Sequence, residues 1–252
     1  MLQFERHQQI VAFVNEKKQT TTDQLAEFLS VSKQTIRRDI DVLSRNGLLR
    51  KVHGGAVSLS DSPLHEIPYA SKVSINATAK QKIGITAAKM VDSEDVIILD
   101  SGSTTMEIAK NLTTPNITVL TNDIQISIEL ASKDNINIIM PGGLLEKSVY
   151  TLTGNASIDF FKKIHVNKLF LGCDAFDMAF GVSDRNAESA AAKQAMIRAA
   201  DKVIMTTDYS KLGKKAFCYV CSLSDIDTLV TNQCSDQELR HLQEQNVEVV
   251  LT

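Results

Sequence analysis

From Ala77 onward the chain alternates short apolar runs with amphipathic ones, and this alternation limits the possible folds more than any other feature. The apolar runs are VIILD (96–100), ITVLTN (117–122), INIIM (136–140), KLFLGCD (168–174), KVIMTTD (202–208), AFCYVCS (216–222) and IDTLVTN (226–232). Helical patterns fall near 77–91, at MEIAKNL and DIQISIELASK, and at 156–164, 186–201 and 235–246. Apolar strands separated by helices predict an α/β domain with a largely parallel sheet covered on both faces. In such sheets ligands bind beyond the carboxyl ends of the strands. Small polar residues gather at those ends here. Asp100, Ser101, Gly102, Ser103, Thr104 and Thr105 follow the first strand and open a helix, whose N-terminus favours an anion. Thr121-Asn122, Gly142-Gly143, the stretch from Gly172 to Asp174, and Asp208, Ser210 and Lys211 end other strands in the same way. Any one cluster is ordinary turn chemistry. Their recurrence along one edge predicts a site for a phosphate or sugar hydroxyls.

The helix after Asn186 carries Glu188, Lys193 and Arg198. Lys193 either reaches a ligand phosphate or lies on an exposed face. Asp100, Asp174, Glu188 and Lys193 would also serve as acid/base groups in an isomerase-like enzyme, but no motif fixes them in that role. We therefore expect no catalytic residues, with the enzyme as the alternative.

The first 58 residues read differently. VSKQTIRRDIDVLSRNG (31–47) has Ser32 as N-cap, an apolar stripe of Ile36, Ile40 and Leu43, and Gly47 at the C-terminal stop. Gln34, Arg37, Arg38, Asp41 and Arg45 fall on the opposite face, where Gln and Arg can read base edges in a major groove. Upstream, Thr21 and Gln24 form a capping box for a helix that turns Leu25, Ala26 and Leu29 inward. Residues 2–16 form another helix, with Phe4, Ile10, Val11 and Val14 inward. A basic hairpin follows, with strands Leu48–Val52 and Ala56–Ser60 reversing at Gly54-Gly55. Together these predict a winged helix-turn-helix whose DNA-facing set is Thr22, Ser32, Lys33, Gln34, Thr35, Arg37, Arg38, Arg45, Arg50, Lys51, His53 and Gly54. Residues 59–76 hold two prolines and no clean period, and read as a linker to a body spanning 77–252.

A net charge of −3 is unusual for a DNA binder, but its distribution accounts for it. Residues 1–58 hold nine Lys/Arg against six Asp/Glu, giving +3 and leaving −6 for the rest. A basic head on an acidic body confines DNA contact to the head. Cys218 and Cys221 are spaced like half a metal site. The run around them reads as a strand that points them to opposite faces, and no second pair lies nearby, so neither metal nor cofactor is expected. With no apolar stretch long enough to span a membrane and no signal-peptide core, we expect a cytoplasmic protein.

With both halves read, the chain resembles the DeoR family of bacterial sugar-operon regulators, most nearly members for sorbitol, galactosamine or glycerol-phosphate catabolism. The resemblance is carried by VSKQTIRRDIDVL and RKVHGGAV in the head. In the body it is carried by LDSGSTT, VLTN, MPGG, LFLGCDAFD and TTDYSKLGKKAF. It implies an oligomeric repressor, dimer or tetramer, that releases operator DNA when a phosphorylated sugar or polyol binds. It also implies a body like that of ribose-5-phosphate isomerase and coenzyme A transferases. By the same resemblance, Gln34, Thr35, Arg37 and Arg38 match the recognition helix. Ser103, Thr104, Thr105, Asn122, Gly143, Asp174, Lys193, Asp208 and Lys211 match effector positions. Several members place Glu directly after the Asn equivalent to Asn186, where this chain has Ala187 and then Glu188.

Overall fold

The computed structural model describes residues 2–59 and 67–252, and the chain divides into two compact units, Met1–Ile75 and Asn76–Thr252. The first unit comprises α1 (Gln3–Lys17), β1 (Gln19–Thr21), α2 (Thr22–Leu29), α3 (Lys33–Arg45), β2 (Arg50–Val52), β3 (Gly55–Val57) and α4 (Tyr69–Ser74). Ile10, Val14, Leu25, Ile36, Ile40, Leu43 and Leu49 are all at most 2% exposed and form one core. Burying each such side chain is worth about 1.5–3 kcal/mol, enough to hold three short helices that would be marginal alone. The capping box forms as expected: Thr21 Oγ1 accepts from the Gln24 amide at 3.2 Å, and the Gln24 side chain accepts from the Thr21 amide at 2.9 Å. The side chain of Phe4 and residue Ser60 lie outside what is described.

The wing differs from the sequence expectation in two respects. It reverses at His53-Gly54, because Val52 pairs with Gly55 and Gly54 takes φ +79°. Gly55 serves another purpose: a Cβ there would sit 2.1 Å from the Thr20 carbonyl oxygen. That closeness comes from β1, a third strand pairing with β3, which three polar residues gave no period to reveal. The span read as a linker contains a helix. Residues 60–66 lie outside what is described. Beyond them Pro68 opens α4, whose Ser71 is buried and donates to the Asn46 carbonyl at 3.2 Å within the first unit.

The second unit contains α5 (Ala77–Ala88), β4 (Val96–Leu99), α6 (Ser103–Asn111), β5 (Ile117–Leu120), α7 (Ile124–Ala131) and β6 (Ile136–Ile139). It continues through β7 (Leu144–Glu146), β8 (Thr151–Thr153), α8 (Asn155–Phe161), β9 (Val166–Leu171), β10 (Ala175–Asp177), β11 (Gly181–Asp184) and α9 (Ala187–Ala199). It ends with β12 (Ala200–Thr206), β13 (Cys218–Cys221), β14 (Thr228–Thr231), α10 (Asp236–Glu244) and β15 (Glu248–Leu251). Seven strands form a sheet in the order β15-β14-β12-β9-β4-β5-β6, with every adjacent pair parallel. The order reverses at β4: β5 and β6 lie to one side, β9 and the later strands to the other. The crevice beside the ends of β4 and β9 is therefore the topological switch point where such sheets hold ligands.

AFCYVCS is not part of this sheet. Its core is β13, which pairs antiparallel with β11 in a small sheet of order β10-β11-β13. An apolar run looks the same in either setting. The four cysteines are free thiols. Among the described residues no helix is long and apolar enough to cross a membrane.

Candidate functional sites

On α3 the Ser32 hydroxyl accepts from the Thr35 amide at 3.1 Å and lies 2.9 Å from the Thr35 hydroxyl, fixing the start of the helix. Ile36, Asp39, Ile40 and Leu43 face inward, while Lys33, Gln34, Arg37, Arg38 and Arg45 are exposed. Arg50, Lys51, His53 and Gly54 are exposed on the wing. Lys33 pairs with Asp23 at 2.8 Å and Lys51 with Asp41 at 2.5 Å, and Arg45 Nε donates to the Asp41 carbonyl at 3.2 Å. Exposed pairs of this kind are worth under about 1 kcal/mol, so a phosphate can displace them. Among the described residues the side chains of Gln34, Arg37, Arg38 and Arg50 have no partner.

Thr22 faces inward instead of toward DNA. Its amide and hydroxyl both donate to the Gly54 carbonyl, at 2.8 and 3.0 Å, and it is 4% exposed. It moors the tip of the wing to α2 and presents no hydroxyl to DNA. Asp39 was missed. It accepts from Arg6 Nε at 2.6 Å and Nη2 at 3.2 Å, and lies 2.9 Å from His7 Nε2, tying α1 to the inner face of α3.

In the second unit, the polar clusters follow β12, β9, β4, β5 and β6, which are consecutive neighbours in the sheet. Asp100 Oδ2 accepts from the Gly172 amide at 2.9 Å and from Lys193, which also donates to the Gly172 carbonyl at 3.1 Å. Both charged groups are buried. Burial alone would lower the Lys193 pKa, but Asp100 and Asp184 outweigh it and hold the ammonium charged. Lys193 is thus neither on an exposed face nor an uncommitted phosphate clamp. It locks the end of β4 to the end of β9.

The loop after β4 opens α6 with Gly102 at φ +155° and no side-chain cap. The amides of Ser103, Thr104 and Thr105 therefore lack an intrahelical acceptor. The hydroxyls of Ser103 and Thr104 have no partner among the described residues. Thr105 differs: it is fully buried and donates to the Gly102 carbonyl at 2.9 Å. Thr121 is likewise buried, its hydroxyl accepting from the Asp123 amide at 3.1 Å. These two threonines are fully buried and bond within their own loops.

The model of the DeoR-like helix-turn-helix domain matches residues 6–62, and that of the DeoR C terminal sensor domain matches residues 75–233. The chain belongs to the DeoR family. The uncharacterized HTH-type transcriptional regulator YulB of Bacillus subtilis is 37% identical over 99% of this chain and 96% of its own length. The HTH-type transcriptional repressor GlcR of the same organism is 32% identical over 100% of this chain and 97% of its own. The L-fucose operon activator of Haemophilus influenzae is 29% identical over 96% of each. Ribose 5 phosphate isomerase A from Neisseria gonorrhoeae aligns over 53% of this chain and 52% of its own, at 15% identity and a TM-score of 0.40, which says nothing of function.

Three further features of the DeoR sensor unit escaped the sequence reading. The β7–β8 hairpin starts at Gly142-Gly143 and returns to the end of β5. There Leu152 donates to the Asn122 carbonyl at 2.8 Å and Ile124 to the Tyr150 carbonyl at 3.0 Å. Asp123 is fully buried: Oδ1 accepts from the Gln125 and Ile126 amides, and Oδ2 accepts from Ser101 at 3.0 Å. The Ser101 hydroxyl also lies 2.6 Å from that of Thr151, so one polar chain joins the α6 loop, the start of α7 and the hairpin. Two acceptors, Asn122 Oδ1 and Asp208 Oδ2, are buried with no partner among the described residues. Asp174 is buried at the end of β9, and Lys211 is half-buried after β12.

Proposed function

We propose that this DeoR-family chain is a transcriptional repressor of a sugar or polyol catabolic operon, released from its operator when a phosphorylated sugar or polyol binds beyond the strand ends. The observation that carries the sensing half is the uncapped start of α6 at the switch point, with its unpaired amides and two unpartnered hydroxyls. Such a helix start takes a phosphate. Asn122 Oδ1 and Asp208 Oδ2 supply what a phosphate would not use: bare acceptors for hydroxyl groups. The ends of β4 and β12 are two strand spacings apart, about 10 Å, within reach of a short polyol phosphate. The site reads as binding rather than catalytic, because Asp100 and Lys193 neutralise each other.

For the head, Gln34, Thr35, Arg37 and Arg38 would enter the major groove, with Ser32, Lys33, Arg45, Arg50, Lys51, His53 and Gly54 at phosphates or the minor groove. Two copies would meet two half-sites, and the protein would act on DNA in the cytoplasm. Repression is favoured by the GlcR likeness, and the activator among the relatives is the variant that operator position decides. Replacing Ser103 and Thr104 together by alanine is expected to raise the concentration of a releasing sugar phosphate about tenfold or more, each tenfold corresponding to about 1.4 kcal/mol. Operator affinity without ligand stays unchanged. Fluorescence anisotropy of labelled upstream DNA checks both, and a normal response from the double variant removes this loop from the site.

A further inference from the structure

We infer that Asn76 is a positioning residue that passes the state of the strand-end site to the recognition helix through α4. The inference rests on the site reading above only for what drives it. Asn76 is the first residue of the sensor unit and the N-cap of α5, in left-handed backbone (φ +54°). Its carboxamide does not cap that helix. It donates instead to Asp208 Oδ1 at 2.7 Å, on a carboxylate whose other oxygen is buried and unpartnered. A ligand hydroxyl bound by that second oxygen would thus act on the same carboxylate that grips Asn76.

The helix that Asn76 opens is tied to the site a second time. α5 packs on α6 so closely that a Cβ on Gly84 would lie 2.5 Å from the Glu107 backbone. A shift of α6 on taking up a phosphate at its start therefore reaches α5 without slack, since packed helices move as bodies.

On the other side of Asn76, Ile75 is the C-cap of α4, and α4 is anchored within the head. Its buried Ser71 donates to the carbonyl of Asn46, the C-cap of α3, at 3.2 Å. The Ser74 carbonyl accepts from Gln8 on α1 at 3.2 Å. One peptide bond thus joins a residue gripped by the sensor edge to a helix gripping the end of the recognition helix. The two anchorages and the continuous chain between them need no further contact to transmit a displacement. A structureless tether would transmit none.

The test is hydrogen–deuterium exchange on the full chain as wild type, Asp208→Asn, Asn76→Gly and the double variant. Glycine keeps the left-handed backbone while removing the carboxamide, and Ser71→Ala provides a second break at the far end of the relay. Asp208→Asn disturbs the sensor edge directly, so no ligand is required. It is expected to change exchange at residues 46–48 and 69–74 by about fivefold or more, the lower end of ordinary coupling. In the Asn76→Gly background the same substitution is expected to leave 46–48 unmoved. An equal response in both backgrounds, or none at 46–48 in the wild-type background, overturns the relay. Inorganic phosphate added to the wild type separates the two readings. Protection at 103–105 without change at 46–48 overturns the relay and leaves the site standing. Change at 46–48 without protection at 103–105 supports the relay and removes phosphate from that loop.

Discussion

Asp39 and Asp123 are both buried carboxylates, yet their protons behave in opposite ways. Burial alone would raise Asp39, but bonds from Arg6 and His7 outweigh it and hold its pKa below the ordinary value. Its contribution to stability is present above about pH 4 and is lost as pH falls through the lowered value. Asp123 has only hydroxyl and backbone donors, so burial dominates and pushes it up to about 6. The folded chain therefore holds this proton more tightly than the unfolded one. The resulting stabilisation is full below about pH 4 and is lost as pH rises through about 6. Asp123→Asn should remove that share of the pH 4–6 slope, read from urea unfolding at a series of pH values; an unchanged slope contradicts the assignment. Lys193 gives a separate prediction. Lys193→Met strands the Asp100 charge and should cost on the order of 3–5 kcal/mol, with much of the loss recovered when Asp100→Asn is added. A loss below about 1 kcal/mol in denaturant unfolding would mean that the pair does not form.

At the scale of elements, α3 was legible because cap, stripe and stop all fell on one helix, and its inner face is the predicted one. The same stripe held a signal that went unused: Asp39 sits at the spacing of Ile36, Ile40 and Leu43, and a charge there demands a buried partner. Its partners lie more than thirty residues away in α1, beyond the range of local pattern. The parallel strands were legible for the opposite reason, being apolar throughout. β1, β7, β8 and β10 are three residues each, too short for a period to show, so the hairpin that ties the α6 loop to β5 could not be read. Asp123 was readable as a helix start, but its burial depends on Ser101 and the missed hairpin. The element-level prediction concerns the head. Arg37→Ala and Arg38→Ala should each weaken operator binding by about 1–3 kcal/mol. Thr22→Val, which removes the hydroxyl bond to the Gly54 carbonyl, should lower the stability of the head by about 1 kcal/mol in denaturant unfolding. Unchanged stability together with weakened operator binding would return that residue to the DNA face.

For the molecule as a whole, charge and connectivity assign separate tasks to its two parts. The head carries +3 and the remainder −6, so DNA attraction is concentrated where α3 and the wing lie. Unsatisfied polar groups gather at one edge of the parallel sheet, where donors at the start of α6 accompany bare acceptors at Asn122 and Asp208. Under the proposed function, release requires the ligand to favour one state of the chain over another, and only differential affinity between the two can shift that balance. In the proposed function a phosphorylated polyol or sugar sets this balance. The direct measurement is anisotropy of labelled upstream DNA bound to the full chain, titrated with the phosphates of sorbitol, galactosamine, glycerol and related compounds beside their unphosphorylated forms. Specific binding should be released by one phosphate and not by its parent sugar or polyol. Release by the unphosphorylated form at the same concentration, or binding that no compound alters, would contradict it.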